Sequence, residues 1–196
     1  MKLYSESCMQ NREPILSVIE PVLRDCSHLL EIGSGTGQHA VYFAEQLPAL
    51  QWQCSDLEEN HESICAWIAD AKFDNVHRPI ALDVLKDSWP ANHYDAVFSA
   101  NTLHIMSWEA VQALFAGVGR LLSPGGEFLV YGPFNYHGDY TSESNRDFDK
   151  WLRHYDPDSG IRDLEAVDTL AQAHHMSLIK YHTMPVNNRL LHWRKT

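Results

Sequence analysis

Residues 29–47 read LLEIGSGTGQHAVYFAEQL and hold the feature that decides the fold, three glycines between two regular elements. A short apolar run enters the turn, and a segment with apolar residues at helical spacing leaves it. Glycine is needed where the backbone takes a positive φ or approaches a ligand closely, and a helix that begins there offers free N–H groups. Gly33, Gly35 and Gly37 therefore predict a strand–turn–helix unit that binds a ligand. The alternative is a tight turn that holds no ligand.

The rest of the chain alternates between short apolar runs and amphipathic segments. This alternation predicts an α/β fold, a doubly wound and mostly parallel sheet with helices on both faces. We expect seven strands, of which the last two form an antiparallel hairpin around Pro185, and a first helix that begins near Pro14. Residues 1–196 are expected to form one domain, with an N-terminal helical cap at 1–27 and a polar, aromatic lid insertion at 135–160.

Composition and charge narrow the range of partners. The chain has 196 residues and a formal net charge of −11, which disfavours nucleic acids and anionic membranes. Its four cysteines lack paired spacing and predict free thiols in a reducing, cytoplasmic compartment. The 12 histidines form no recognisable metal motif, so we expect no metal site. The remaining expectation is a small-molecule substrate, with the oligomeric state left open.

Acidic residues accompany three successive strands around the glycine turn. Glu31 precedes the first glycine by two positions, Asp56 lies just past the second strand and Asp83 ends the third. An acid about twenty residues after such a turn can accept hydrogen bonds from both hydroxyls of a ribose. The simpler interpretations are a helix N-terminal acid for Asp56 and a solvated loop acid for Asp83. Gln38 stands where a dinucleotide fingerprint has its third glycine, which argues against a dinucleotide.

Several blocks together resemble the motifs of class I S-adenosylmethionine-dependent methyltransferases. LEIGSGTGQHA is similar to their first motif, SDLEEN to the second and ALDV to the third. YDAVFSANTLHI resembles their fourth strand, and RLLSPGGEFLVYGPF their fifth. Blocks outside these motifs, among them NREPIL, SNRDFD, GIRDLEAV and MPVNN, are similar to a narrower family, domain of unknown function 938, also called methyltransferase-like protein 26. The resemblance implies S-adenosylmethionine as the cofactor but names no acceptor.

The resemblance also implies roles at the strand ends. Glu31 and the glycine turn would line the methionine part of the cofactor, and Asp56 would take the ribose. Asp83 and Val84 would frame the adenine, and Asn101 would lie near the sulfonium. The full set of expected cofactor-binding residues, with two N-terminal ones, is Asn11, Arg12, Glu31, Gly33, Ser34, Gly35, Gly37, Asp56, Asp83, Val84 and Asn101.

Three residues are candidates for the chemistry itself. His104 follows the fourth strand and can act as a base, because imidazole titrates near neutrality. Tyr131, at the end of the fifth strand, can form an aromatic wall against a substrate or a sulfonium. Arg162 precedes a helix and can bind a carboxylate or phosphate of the substrate. Ordinary structural packing is the alternative for His104 and Tyr131.

Asn11 and Arg12 lie outside the generic cofactor motifs. Because an N-terminal helix can close over the site in class I folds, we expect the pair, just before the first helix, to contact the cofactor carboxylate or the substrate. The alternative is a helix-capping Asn beside a solvated Arg.

The leading functional hypothesis is therefore an S-adenosylmethionine-dependent methyltransferase that acts on a small molecule. Two alternatives stay open. One is a protein that binds S-adenosylmethionine or S-adenosylhomocysteine without catalysis, and the other is an NAD-dependent oxidoreductase on a related sheet.

Overall fold

The computed structural model describes residues 1–196 as an α/β fold built on one central sheet. The strands are β1 (His28–Ile32), β2 (Gln51–Asp56), β3 (Val76–Ala81), β4 (Tyr94–Ala100), β5 (Leu122–Asn135), β6 (Arg162–Asp163), β7 (Met176–Thr183) and β8 (Asn188–Lys195). The helices are α1 (Glu6–Leu23), α2 (Gln38–Gln46), α3 (His61–Asp70), α4 (Trp108–Leu121), α5 (Glu143–Tyr155) and α6 (Leu164–Ala173). None of these helices combines the length and hydropathy needed to span a bilayer.

The strand order is β3-β2-β1-β4-β5-β8-β7, and the first five of these strands are parallel. β8 runs antiparallel to β5, and β7 runs antiparallel to β8. The predicted seven-stranded, mostly parallel sheet with a C-terminal antiparallel hairpin is confirmed, and the short β6 pairs with the end of β5 in addition. The winding reverses between β1 and β4, and folds of this kind bind ligands at the carboxyl ends of the strands at such a reversal.

Helices bury both faces of the sheet. On one face, α4 and α6 cover a cluster of 23 residues that includes Phe115, Phe128 and Trp193. On the other face, α1, α2 and α3 cover a cluster of 19 residues that includes Phe43 and Trp52. Because the central strands are buried on both sides, they appear in the sequence as continuous apolar runs.

The N-terminal helix begins earlier than the sequence predicts. α1 starts at Glu6 and not near Pro14, with the Ser5 side chain accepting a hydrogen bond from the Cys8 amide. The Gln38 side chain accepts from the Ser5 amide and donates to the Ser5 carbonyl, so α2 holds the start of α1 in place. A contact between segments distant in sequence therefore fixes this boundary.

Asn11 and Arg12 consequently lie within α1 and not before it as expected, so the alternative of a helix-capping Asn11 is wrong. Pro14 lies in the interior of this helix. Because proline has no N–H, the Gln10 carbonyl loses its usual helical partner.

The expected lid at 135–160 contains a regular helix, α5, over Glu143–Tyr155. Its buried residues are Asn145, Asp149 and Leu152. Phe148, Trp151, Leu152 and Tyr155 stand at helical spacing, but Trp151 and Tyr155 are exposed and the surrounding residues are polar, which sets the segment apart from a core helix.

Candidate functional site

A cavity of about 860 Å³ opens at the carboxyl ends of the parallel strands. This volume is within the usual range for small-molecule sites. The glycine turn, the segments that follow β2, β3 and β4, the first half of α1 and part of α5 line its wall. The predicted ligand site and the topological reversal therefore coincide.

Backbone hydrogen bonds fix the glycine turn to the end of β2. The amide nitrogens of Gly33 and Ser34 both donate to the Ser55 carbonyl at 3.0 Å. The Gly35 amide donates to Asp56 Oδ2 at 2.6 Å. The turn and the acid that follows β2 thus form one structural unit.

The three glycines have different tasks. A Cβ on Gly33 would lie 2.8 Å from Thr102 Oγ1, and one on Gly37 would lie 2.9 Å from the Ile64 Cα. A Cβ on Gly35 would meet nothing within 4 Å, although its φ is +56°. Gly33 and Gly35 line the cavity and Gly37 does not. Gly37 therefore allows α2 to pack closely against α3. At Gly35 the missing side chain leaves open space at the cavity wall, and this space is called the cradle below.

Asp56 lines the cavity with its carboxylate already engaged by the protein. Besides the Gly35 amide, it accepts from the Leu57 amide at 2.7 Å and from Asn60 Nδ2 at 2.8 Å, both on Oδ1. It is 8% exposed, so a bound ligand can still reach it. The acid shapes the turn whether or not it also contacts a ribose.

Asp83 and Val84 follow β3 and line the neighbouring wall. The Asp83 carboxylate accepts from Lys86 Nζ at 2.7 Å and from the Leu85 amide at 3.0 Å. The hydrogen bond from Lys86 lowers the pKa of Asp83, so this group is ionised at neutral pH. The wall thus pairs a carboxylate with an apolar side chain.

Glu31 lies behind the glycine turn and does not line the cavity. Its Oε2 accepts a hydrogen bond from Trp52 Nε1 at 3.1 Å, and the residue is 1% exposed. Burial raises the pKa of Glu31 to about 7. This placement does not favour the expected direct contact with the methionine part of a cofactor.

His104 and Asn101 both follow β4, and their side chains lie near Gly132 of β5. A Cβ added to Gly132 would be 3.8 Å from His104 Nδ1 and 4.0 Å from Asn101 Oδ1. Burial, and then the charge of Arg162, lower the pKa of His104 to about 4. No hydrogen bond within the protein occupies its ring nitrogens, and they are not sealed from the cavity. His104 is therefore a neutral base with a free lone pair.

Arg162 does not line the cavity, contrary to the expected substrate contact. Its guanidinium donates to the carbonyls of Leu103, Met106 and Asp158. Two residues before Arg162, the Gly160 amide donates to the His104 carbonyl at 2.8 Å. The geometry gives Arg162 the task of holding the loop that carries His104.

Asn11 lines the cavity, whereas Arg12 does not. Asn11 Oδ1 lies 2.7 Å from His39 Nε2, and because an amide oxygen only accepts, His39 is the donor. The Arg12 guanidinium lies 4.4 Å from the centre of the Tyr42 ring, and its buried Nε has no partner. Asn11 and Arg12, which the sequence predicts to contact the same ligand, therefore lie in different surroundings.

Tyr131 lines the cavity near the C-terminal hairpin. Its hydroxyl accepts from Asn188 Nδ2 at 2.9 Å, and its carbonyl accepts from the Asn101 amide at 2.8 Å. Burial raises the pKa of Tyr131, so the phenol is neutral and its proton can be donated into the cavity.

Sequence reasoning missed part of the wall. The missed residues come from α1, α2, α5 and the turn before β8: Cys8, His39, Asn145, Phe148, Val186 and Asn188. All but Cys8 lie in blocks that the family resemblance marks, LEIGSGTGQHA, SNRDFD and MPVNN, but only tertiary packing brings these elements to one cavity. Separately, no group of three or more His, Cys, Asp or Glu side chains is arranged to hold a metal ion.

Solved structures with the same fold are methyltransferases. An O-methyltransferase family protein from Burkholderia thailandensis matches with a TM-score of 0.86 at 14% identity, over 97% of this chain and 58% of that one. Human N-acetylserotonin methyltransferase, solved with S-adenosylmethionine, matches with a TM-score of 0.72 at 17% identity, over 95% of this chain and 54% of that one. The chain therefore has the Rossmann-like fold of methyltransferases.

Sequence comparison identifies the family of the chain, which the shared fold does not. The chain belongs to the family described as protein of unknown function DUF938, which it matches over residues 2–195. A malonyl-[acyl-carrier protein] O-methyltransferase from Alcanivorax borkumensis is 30% identical over 111 residues, which is 55% of this chain and 35% of the relative. The chain thus spans about a third of that curated relative and a little over half of each solved structure.

Proposed function

We propose that this chain is an S-adenosylmethionine-dependent methyltransferase that transfers a methyl group to an oxygen atom of a small molecule. One observation carries the proposal: a single cavity joins the open cradle at Gly35 and Asp56 to the neutral, unpartnered imidazole of His104. A cofactor site and a proton acceptor therefore face the same space.

The residues present fit the proposed cofactor. The space over Gly35 accepts a ligand close to the backbone, and Asp56 can accept hydrogen bonds from ribose hydroxyls. Asp83 can accept from an adenine amine while Val84 packs on the ring. Asn101 and Gly33 border the stretch between this end and His104.

When bound, S-adenosylmethionine supplies an electrophilic methyl group and retains the electron pair of the broken S–C bond. His104 accepts the proton that the acceptor hydroxyl loses, because its imidazole is neutral at pH 7. Its low pKa makes it a weak base, so the proton moves as the new O–C bond forms and not before. Tyr131 and Asn188 orient the acceptor through their polar groups. Phe148, whose ring lies 5.3 Å from that of His104, limits the access of water.

Oxygen as the acceptor atom is supported by the names of the relatives, which include the Alcanivorax and Burkholderia O-methyltransferases. We also propose that the chain is related to methyltransferase-like protein 26, as its sequence blocks indicate. This relationship does not identify the methyl acceptor.

Calorimetric titration with S-adenosylmethionine, S-adenosylhomocysteine and NAD tests the proposal. We expect micromolar binding of the first two, about −8 kcal/mol, and none of NAD. A chain that binds only NAD would support the oxidoreductase alternative. A chain that binds the sulfonium cofactor but never converts it, with any acceptor in a metabolite extract, would be a binding protein.

A further inference from the structure

The cavity has a strongly uneven distribution of charge. None of the residues that line it is a lysine or an arginine. Its three carboxylates, Asp56, Glu59 and Asp83, all follow β2 or β3, at the end proposed for the cofactor. The opposite end, called the acceptor end here, is lined by Asn11, Asn101, His104, Ile105, Met106, Tyr131, Pro133, Ser144, Asn145, Phe148, Pro185, Val186 and Asn188. It holds no charged side chain at neutral pH, because His104 is neutral.

Four arginines on the surrounding elements are engaged elsewhere, among them Arg146 of α5, which pairs with Glu143. Arg162 donates to three backbone carbonyls, and Arg189 donates to the Tyr136 hydroxyl at 2.8 Å and to its neighbour's carbonyl. Arg12 lies against Tyr42. None of the four lines the cavity, so none provides a counter-charge for a bound anion.

The distribution of charged side chains in the cavity determines which acceptors bind favourably. A carboxylate or phosphate that enters the acceptor end loses hydration and meets no cation, while the three carboxylates and the net charge of −11 repel it. A cation at this end meets no carboxylate. Four asparagines, Asn11, Asn101, Asn145 and Asn188, line this end. Three of them make one hydrogen bond within the protein, to His39, Thr141 and Tyr131, and their carboxamides retain further donors and acceptors for neutral polar groups.

We infer that the acceptor is an uncharged small molecule, apolar or aromatic in its body, whose polar groups are hydroxyls, carbonyls or amides. This inference rests on the proposed function and names the substrate class of the same site. It sets the chain apart from the Alcanivorax relative, because the malonyl thioester in that protein's name carries a carboxylate. Carboxylated and phosphorylated acceptors are expected to be poor ligands.

The test uses pairs of ligands in which a carboxylate is replaced by its neutral methyl ester. Hydroxybenzoic and hydroxycinnamic acids are compared with their methyl esters, for example 3,4-dihydroxybenzoate with methyl 3,4-dihydroxybenzoate. Binding to the protein, alone and saturated with S-adenosylhomocysteine, is measured by calorimetry and ligand-observed NMR. We expect the ester of each pair that binds to bind at least tenfold more tightly than the acid. Equal or tighter binding of the acids, or no binding of either member of any pair, overturns the inference.

A matched pair of variants locates the effect. Ser144 is exposed on α5 and lines the acceptor end, whereas Ser123 is exposed at the start of β5 and does not. Ser144→Lys should reduce the preference for esters at least threefold, and Ser123→Lys should leave it unchanged. An equal effect of both variants would show that net charge, and not the lining, sets the preference, and would overturn the inference.

Binding of S-adenosylhomocysteine, measured by itself, separates the two proposals. If the cofactor product does not bind but esters are still preferred, the proposed function fails while the charge selectivity of the cavity stands. If it binds and acids are preferred, the substrate class is wrong and the proposed function stands.

Discussion

Asp56 Oδ2 accepts a hydrogen bond from the Gly35 amide at 2.6 Å, so the acid that closes β2 holds the middle glycine of the turn. The other carboxylate oxygen binds the Leu57 amide and the Asn60 side chain. One carboxylate therefore organises both sides of the cradle. If removal of the Asp56 carboxylate abolishes cofactor binding, the cause is either a lost contact with the ribose or a disordered glycine turn.

A double-mutant cycle between protein and ligand separates these causes. We expect Asp56→Ala to weaken the binding of S-adenosylhomocysteine at least tenfold. If Asp56 contacts the ribose, an analogue without the ribose hydroxyls should bind the native chain at least tenfold more weakly but should bind Asp56→Ala no worse than S-adenosylhomocysteine does. Calorimetry on the four combinations measures the coupling.

Asn60→Ala is the control, because it removes one partner of the carboxylate and keeps the acid. It should preserve the discrimination between the two ligands. The same loss of affinity for the analogue in Asp56→Ala as in the native chain would show that the acid only shapes the turn.

Local sequence signals predict one half of this site. The apolar run before Gly33, the glycines and Asp56 lie on consecutive elements, so their spacing is enough to place them together. The acid Glu31 shows the limit of such reasoning. Its distance from the glycines is clear in the sequence, but the face on which it lies depends on the strand, and it points to Trp52 behind the turn.

The other half depends on packing between distant segments. α5 brings Phe148 to the cavity through a network in which buried Asp149 accepts from Tyr140, Arg153 and the Ile161 amide. Leu152 is the only apolar residue of α5 that is buried, so these polar contacts anchor the helix, and hydrophobic periodicity alone does not predict where it packs. The interaction of Asn11 with His39 likewise joins residues 28 positions apart, and although both lie in quoted sequence blocks, nothing in either block predicts the contact.

The second prediction concerns the cation behind His104. Burial and Arg162 lower the pKa of His104 to about 4, so removal of this positive charge should raise that pKa. Arg162→Gln should therefore move the titration of the His104 imidazole to higher pH, and Arg162→Lys, which keeps the charge, should move it less. NMR titration of the histidine ring signals measures both shifts, with His104→Asn to assign the resonance.

If Arg162 only holds the loop that carries His104, its replacement should loosen that loop, but the pKa of His104 should not depend on the charge of the residue at position 162. Arg189→Gln is the control, because this arginine is not among the groups that shift His104. If Arg162→Gln leaves the titration of His104 where it is in the native chain, burial alone sets the pKa. The proton acceptor would then not depend on Arg162.

The third prediction contrasts two glycines of the turn. A Cβ at Gly35 enters open space, and its φ of +56° costs a non-glycine residue about 1 kcal/mol. Gly35→Ala should therefore fold with a small loss of stability, yet weaken S-adenosylhomocysteine binding at least tenfold because the methyl group occupies the cradle. Gly37→Ala should be the more destabilised variant, because its Cβ lies 2.9 Å from backbone and its φ is +92°. Thermal unfolding and calorimetry are measured on both variants, and unchanged affinity in Gly35→Ala would contradict a ligand cradle at this position.

The fourth prediction uses the buried acid Glu31. Burial raises its pKa from an ordinary value of 4.5 to about 7, so the folded chain binds a proton that the unfolded chain releases. Its contribution to stability is fully present below about pH 4.5 and is lost as the pH rises through about 7, by at most on the order of 3 kcal/mol. Glu31→Gln keeps an oxygen that can accept from Trp52 and removes the titration. It should flatten the dependence of the unfolding free energy on pH between about 5 and 8, as measured by urea denaturation.

Glu45→Gln is the matched control for this substitution, because it removes the same charge from an exposed position on α2. It should keep the slope of the native chain. Since Glu31 does not line the cavity, Glu31→Gln should also bind S-adenosylhomocysteine as the native chain does. A native slope in Glu31→Gln would show that the acid is ionised in the folded chain. Weaker binding together with a flattened slope would instead restore the contact with the cofactor that the sequence resemblance implies, because the same carboxyl would then serve both the fold and the ligand.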